Sequence, residues 1–130
     1  MILYDTLSGK SQQFTSTNSK VRMYVCGITP YAQCHVGHAM SYVVFDVLRR
    51  YLEYCNHTIH HVQNFTDIDD KLILRAVEEE TTVQELAERH IEEYFQVMDR
   101  LNVQRAHDYP RATREIPQIV ATIKSLIDKG

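Results

Sequence analysis

The chain has 130 residues, with 14 lysines and arginines against 17 aspartates and glutamates, giving a net charge of −3. This balance excludes a generally basic nucleic-acid coat but is compatible with a local basic groove. Apolar residues make up 44% and charged residues 24% of the chain, values typical of a globular domain rather than a disordered or collagenous one. No apolar run approaches the roughly 18 residues of a membrane span, and the N-terminus lacks a secretory pattern. We therefore expect no membrane association and a cytoplasmic location.

The number and spacing of the cysteines and glycines exclude several kinds of site. There are three cysteines, an odd number without framework spacing, which indicates reduced thiols or metal ligands rather than disulfides. The four glycines are placed so that neither a Gly-x-Gly-x-x-Gly loop nor a Walker loop is present. A nucleotide would have to be bound in another way.

The hydrophobic pattern predicts a strand–helix–strand unit. Residues 1–20 are turn-rich and predict a hairpin or a packed arm, and 21–26 alternate as a strand. Apolar residues recur at helical spacing over about 35–54, and 58–65 form a second strand. Such a βαβ unit has parallel strands and a right-handed crossover.

Helices are expected to follow this unit. An acidic turn over 66–71 leads into a short helix, and Thr82 with Glu85 has the form of a capping box that begins a longer one. Thr113 is the predicted N-cap of a last helix. Because a βαβ unit followed only by helices leaves strand edges unpaired, we expect the sequence to be part of a larger architecture.

The junction between the first strand and its helix is where a ligand is expected, because ligands bind beyond the carboxyl ends of parallel strands. His35 and His38 share one face of the first helical turn, and Gly37 permits close approach. Imidazoles beside a helix N-terminus are suited to donating hydrogen bonds to phosphate oxygens. Two alternatives remain open here, namely capping and packing histidines, or a metal site that includes Cys34.

Five segments, in order along the chain, resemble one family. Residues 23–31 (Met-Tyr-Val-Cys-Gly-Ile-Thr-Pro-Tyr) and 34–38 (Cys-His-Val-Gly-His) resemble the N-terminal signature of cysteinyl-tRNA synthetases. His-Val-Gly-His resembles the HIGH motif of class I synthetases, and residues 64–71 resemble the family's Asn-x-Thr-Asp-Ile-Asp-Asp-Lys segment. Residues 110–113 and 4–7 resemble its Pro-Arg-Ala-Thr element and its opening. The resemblance covers essentially the whole chain.

The resemblance implies an α/β fold, the N-terminal half of a Rossmann-like (HUP-type) parallel sheet domain followed by helices of the connecting insertion. Residues 1–110 would be the first half of the catalytic domain, and 111–130 the helix at the start of the connecting region. The implied activity is ATP-dependent conversion of cysteine to cysteinyl-adenylate and its transfer to tRNA(Cys). The implied cofactors are ATP with Mg²⁺ and Zn²⁺.

The resemblance also assigns roles to residues of this chain. His35 and His38 are the implied catalytic residues. Those implied in binding ATP or the adenylate are Gly27, Thr29, His35, Gly37 and His38. Those implied in binding the substrate cysteine are Gly27, Thr29 and Thr66.

Cys26 matches the cysteine that supplies one zinc ligand for binding the substrate thiolate. The family's other zinc ligands and its KMSKS lysine come from a second half that these residues do not include. We therefore expect the chain alone to be at best weakly active, with the missing C-terminal half as a possible partner.

The remaining polar residues are expected to be structural. The aspartates of the acidic turn are interpreted as a solvated turn and helix N-terminus rather than Mg²⁺ ligands: Asp67, Asp69 and Asp70. The histidines around the second strand are expected to lie on the surface or in the core: His57, His60 and His61.

Two departures and two alternatives accompany the resemblance. Pro30 and Ala32 stand where the family often has an aliphatic residue and an aspartate, so we expect the local loop contacts to differ while the resemblance itself holds. One alternative is a ligase that joins cysteine to the amine of a sugar–inositol compound. The other is a non-catalytic truncated paralogue that acts as an interaction module.

Overall fold

The computed structural model describes residues 1–16 and 18–130. Its strands are β1 (Ile2–Asp5), β2 (Lys10–Gln13), β3 (Lys20–Val25) and β4 (Thr58–Gln63). Its helices are α1 (Val36–Tyr54), α2 (Asp70–Glu78), α3 (Val83–Arg100) and α4 (Ile116–Ile127), with a 3₁₀ turn over Ala112–Arg114.

The predicted strand–helix–strand unit is confirmed. β3 and β4 are parallel, in a register that runs from Lys20 opposite Thr58 to Val25 opposite Gln63, and α1 connects them. The predicted N-terminal hairpin is formed by β1 and β2, which pair antiparallel. Single parallel bridges also join Val62 to Asp108 and Phe65 to Arg111, so the chain returns along β4 after α3.

The main core lies between the parallel strands, α1 and α3. Its buried members are Val25, Ile28, Tyr42, Phe65, Ile91, Tyr94 and Met98. The rings of Phe65 and Tyr94 meet edge to face with centroids 5.5 Å apart, a favourable aromatic geometry. A second cluster joins α2 to α3 and consists of Leu72, Ala76, Leu86 and Ala87. The first cluster packs both strand ends against α3, and the second packs α2 against it.

The buried face of α1 is not its most apolar face. Val44 and Val47 are each 60% exposed, whereas Asp46 and Arg49 are buried. The buried charges have partners: Asp46 accepts from the backbone amide of Gln104 at 2.9 Å, and Arg49 donates to the carbonyl of Arg105 at 2.8 Å. These bonds attach α1 to the segment after α3.

One helix start was predicted correctly and one was not. Thr82 and Glu85 cap α3 reciprocally, as expected. Thr113 is not the N-cap of α4, because the 3₁₀ turn holds it and Glu115 takes that position. The reason lies in tertiary structure, since Thr113 is hydrogen-bonded to Asp67. Over residues 1–16 and 18–130, no helix has the length and apolarity needed to cross a membrane.

Candidate functional site

The segments after β3 and β4 are joined to each other. The Thr66 amide donates to the carbonyl of Ile28 at 3.0 Å. A Cβ atom on Gly27 would lie only 1.5 Å from the carbonyl oxygen of Asn64, so glycine is required for this approach. The structure therefore brings the predicted residues Gly27 and Thr66 to the same edge of the sheet.

Asn64 connects these two segments through its side chain. Its Oδ1 accepts from the amide of Gly27 at 2.8 Å and from the hydroxyl of Tyr24 at 2.9 Å. Its Nδ2 donates to Oγ1 of Thr66 over a longer 3.4 Å. Asn64 begins the family-like segment 64–71, but no role was predicted for it. The only signal in the sequence was a polar amide near the end of the strand predicted over 58–65.

His35 and His38 begin α1 and cap it. His35 is the N-cap residue, and its Nδ1 accepts from the Gly37 amide at 3.1 Å. The Nδ1 of His38 accepts from the His35 amide at 3.4 Å, which completes a reciprocal capping box. The two rings are stacked with centroids 3.9 Å apart. The histidines therefore do cap the helix, as one of the alternatives held.

The capping bonds determine which ring nitrogens are free to donate. A nitrogen that accepts from an amide has no proton, so in the neutral ring the proton is on Nε2. His35 and His38 thus each present an Nε2–H group, beside a helix N-terminus that favours anions. Burial, followed by the charge of His35, lowers the pKa of His38, which favours its neutral form. Capping and anion binding are therefore compatible in this pair.

Gly37 has a local role in the same turn. A Cβ at this position would lie 3.0 Å from Nδ1 and Cε1 of the His35 ring. The absence of a side chain on Gly37 therefore leaves room for the His35 imidazole, which accepts a hydrogen bond from the Gly37 amide. Thr29 lies in the loop between β3 and α1 and is half-buried, and its carbonyl accepts from the Tyr31 amide at 2.9 Å.

Cys26 directly follows β3 and is exposed. Its backbone carbonyl accepts from the hydroxyl of Tyr42 at 3.2 Å, and burial raises the pKa of that tyrosine, so the donor proton is retained. Cys34 is less exposed, and burial followed by the charge of Glu93 raises the pKa of its thiol. Both effects disfavour a Cys34 thiolate, the form that binds metals.

Zinc does not fit the described residues by themselves. A closed zinc site needs four ligands, and a catalytic one needs three from the protein. Within 1–16 and 18–130, no group of three histidine, cysteine, aspartate or glutamate side chains is arranged to hold a metal ion. The alternative site of Cys34, His35 and His38 is therefore not supported.

The acidic turn is less solvated than expected. Asp67 is buried and accepts from both the amide and the hydroxyl of Thr113, at 2.9 and 2.6 Å. The prediction of a solvated Asp67 is therefore wrong, because the 3₁₀ turn packs over it. Asp69 is the N-cap of α2 and accepts from the Lys71 amide at 2.8 Å, as a helix N-terminus favours.

The histidines of β4 lie on opposite faces of the strand. His61 is 5% exposed, while the ring of His60 is on the surface and lies 2.9 Å from a carboxylate oxygen of Asp108. This confirms the expectation of surface and core positions. Alternation along a strand is the cause.

A family comparison identifies the chain. Residues 12–130 match the family described as tRNA synthetases class I (C) catalytic domain. The chain belongs to this family. The expected fold class, α/β with a parallel sheet of the class I synthetase type, is thereby confirmed.

Curated relatives are about half identical to the chain. The cysteine–tRNA ligase of Dehalococcoides mccartyi is 51% identical over all of this chain, which covers 29% of that protein. The ligases of Moorella thermoacetica and Archaeoglobus fulgidus are 53% and 50% identical, again over the whole chain and 28% of their own length. The chain thus spans less than a third of the relatives it matches.

Solved structures show the same fold. The methionyl-tRNA synthetase of Mycobacterium tuberculosis bound by methionyl-adenylate superposes with a TM-score of 0.64 and 22% identity. The match covers 72% of this chain and 19% of that protein. At 22% identity, this similarity establishes a shared fold and nothing further.

Proposed function

We propose that the protein carrying these residues is a cysteine–tRNA ligase, which activates cysteine with ATP and transfers it to tRNA(Cys). The observation that carries this proposal is the stacked pair of Nε2–H imidazoles at the start of α1, in a chain half identical to proteins of that name. The sequence identity to cysteine–tRNA ligases supports cysteine as the amino acid substrate. The imidazole pair supports a reaction at a phosphate group.

The proposed reaction begins with attack of the cysteine carboxylate on the α-phosphate of ATP. Cysteinyl-adenylate forms, pyrophosphate leaves, and the cysteinyl group then moves to the terminal ribose of the tRNA. His35 and His38 would donate from Nε2 to the phosphate oxygens as negative charge develops there, while Gly37 keeps the turn open. Prepositioned donors of this kind stabilise the transition state more than the ground state.

The cysteine and the adenylate would lie against the strand ends. Gly27 and Thr29 follow β3, and Thr66 is bonded to that segment by its amide. Residues at this edge have the location that ligands take in parallel sheets.

Cys26 is proposed as one zinc ligand. Its exposed thiol at a strand end is chemically suited to Zn²⁺, which prefers thiolates. Since the described residues do not complete such a site, no step is assigned to the metal. Mg²⁺ would be bound together with ATP, and we assign no Mg²⁺ ligand to Asp67 or Asp69, which bind Thr113 and cap α2.

The extent of the function is also a proposal. Since the chain covers 29% of the Dehalococcoides mccartyi ligase, we expect complete activity to need the part of the catalytic domain that these residues do not contain. We propose that this remaining part of the catalytic domain acts together with His35 and His38 in the complete enzyme. The boundary at residue 110 and the cytoplasmic location stay predictions.

The test is an aminoacylation assay on the protein at its natural full length, with ATP, Mg²⁺, Zn²⁺ and radiolabelled cysteine. Labelled tRNA(Cys), with no product from serine, is the expected result. A labelled amide of a sugar–inositol amine in place of tRNA would instead establish the alternative ligase. Absence of both products from a folded sample would favour the non-catalytic module. Either of the last two results overturns the proposal.

A further inference from the structure

Asn64 determines how the hydroxyl of Thr66 is oriented. The Gly27 amide can only donate, so the atom of Asn64 that faces it must be the oxygen Oδ1. The hydroxyl of Tyr24 donates to the same oxygen. The amide orientation is therefore fixed, and Nδ2 is the atom left to face Thr66.

This orientation makes Oγ1 of Thr66 an acceptor within the protein. A hydroxyl has one proton to donate and can accept at its lone pairs. Among residues 1–16 and 18–130, no side chain or carbonyl receives the Thr66 hydroxyl proton within hydrogen-bond distance. The proton is thus available to a ligand at the strand ends.

We propose that Asn64 is a positioning residue that holds the Thr66 hydroxyl as a donor toward an acceptor atom of the substrate cysteine. The inference rests on the proposed function, because it assumes that Thr66 meets that substrate. Asn64 itself does not touch the cysteine. Its Nδ2 donates to a lone pair of the Thr66 Oγ1, and its Oδ1 accepts from the amide of Gly27, which keeps the two strand ends together.

Asn64→Asp separates this role from simple packing. The carboxylate can still accept from Gly27 and Tyr24, so the join between the strand ends is retained. However, it has no donor for Thr66, and the threonine hydroxyl then turns to donate to the carboxylate. The substrate loses its donor while the backbone geometry is preserved.

The experiment is a double-mutant cycle in cysteine-dependent ATP–pyrophosphate exchange, on the full-length protein. Asn64→Asp is expected to raise the KM for cysteine about tenfold, with kcat within about threefold and the KM for ATP unchanged. In a Thr66→Val background, the same change is expected to have no further effect. In a Thr66→Ser background, which keeps the hydroxyl, the tenfold effect should return.

Asn56→Asp is the matched control, because it adds the same charge to an exposed asparagine at the opposite end of β4. It is expected to leave every kinetic constant within about twofold. Asn64→Ser replaces Asn64→Asp in the cycle if circular dichroism shows that the latter is unfolded.

The outcomes distinguish the two proposals. Exchange by the wild type with an equal effect of Asn64→Asp in the Thr66→Val background would overturn the positioning role alone, because charge repulsion or packing would then explain it. No cysteine-dependent exchange by the wild type would overturn the proposed function, and this inference with it.

Discussion

The imidazole rings of His35 and His38 stack with centroids 3.9 Å apart, and each uses its Nδ1 to cap the helix that the two residues begin. The same bonds leave both Nε2–H groups free. A histidine pair is therefore a cap and a double donor at once. Aspartate at the N-cap would supply the cap without a donor that points outward.

The capping role of His35 is testable apart from its chemistry. Asparagine is a good N-cap, so His35→Asn should keep the free energy of unfolding within about 0.5 kcal/mol of wild type. His35→Ala removes the acceptor of the Gly37 amide and should lower that free energy by about 1 kcal/mol. Urea denaturation measures both. Equal values for the two variants would contradict the cap.

Gly27 and Gly37 should respond differently to alanine. Gly27→Ala places a methyl group 1.5 Å from the backbone oxygen of Asn64, and we expect a loss of about 3 kcal/mol or more in unfolding free energy. Gly37→Ala meets only the ring of His35, at 3.0 Å. Its lost cap is offset by better helix propensity, so the change should stay within about 1 kcal/mol. A similar loss at both positions would refute the close approach.

The bond between Thr113 and Asp67 should stabilise the fold. Thr113→Val removes a 2.6 Å hydrogen bond to a buried carboxylate and should cost about 1–3 kcal/mol of unfolding free energy. Thr122→Val, on the exposed face of α4, is the matched control and should cost less than about 0.5 kcal/mol. Thermal denaturation compares the two. A control-like value for Thr113→Val would show that the contact is dispensable.

The stability of the chain should fall at mildly acidic pH because of His61. Burial, followed by the charge of Arg49, lowers its pKa from 6.5 to about 4, and neither ring nitrogen has a partner among residues 1–16 and 18–130. Between those pH values His61 is protonated in the unfolded chain but stays neutral in the folded chain. The unfolding free energy therefore declines as pH falls from 6.5 to 4, by on the order of 3 kcal/mol.

His61→Leu removes this titration and keeps an apolar side chain of similar volume. We expect a flatter dependence of unfolding free energy on pH between 4 and 6.5, measured by urea denaturation at several pH values. If the unfolding free energy of the variant depends on pH as steeply as that of the wild type, groups other than His61 cause the acid sensitivity.

Much of the fold could be predicted from the sequence, since local patterns determine it. The period of apolar residues located α1 and the two parallel strands, and the Thr82–Glu85 spacing located the start of α3. The start of α4 was misplaced because a long-range bond from Thr113 to Asp67 holds the threonine in a 3₁₀ turn. Sequence spacing carries no information about such a contact.

The meeting of the two strand ends could be predicted from the sequence, but the hydrogen bonds between them could not. Gly27 and Thr66 lie at one edge of the sheet because the two strand ends meet there, and His35 and His38 lie at the start of the helix that follows β3. Two of the three side-chain bonds of Asn64 come from residues that lie 37 and 40 positions earlier in the chain, and no local pattern predicts them. The buried charges of α1 were likewise unpredictable, because their partners come after α3.

The most direct test of the account is cysteine-dependent ATP–pyrophosphate exchange by the full-length protein, compared between wild type and His35→Asn. We predict exchange by the wild type and a loss of about 100-fold in His35→Asn at unchanged stability, because the cap is kept while the shorter asparagine amide places no donor at the position of the imidazole Nε2. Exchange that persists undiminished in His35→Asn would show that the Nε2–H group of His35 does not act on the phosphate, and would contradict the role proposed for it.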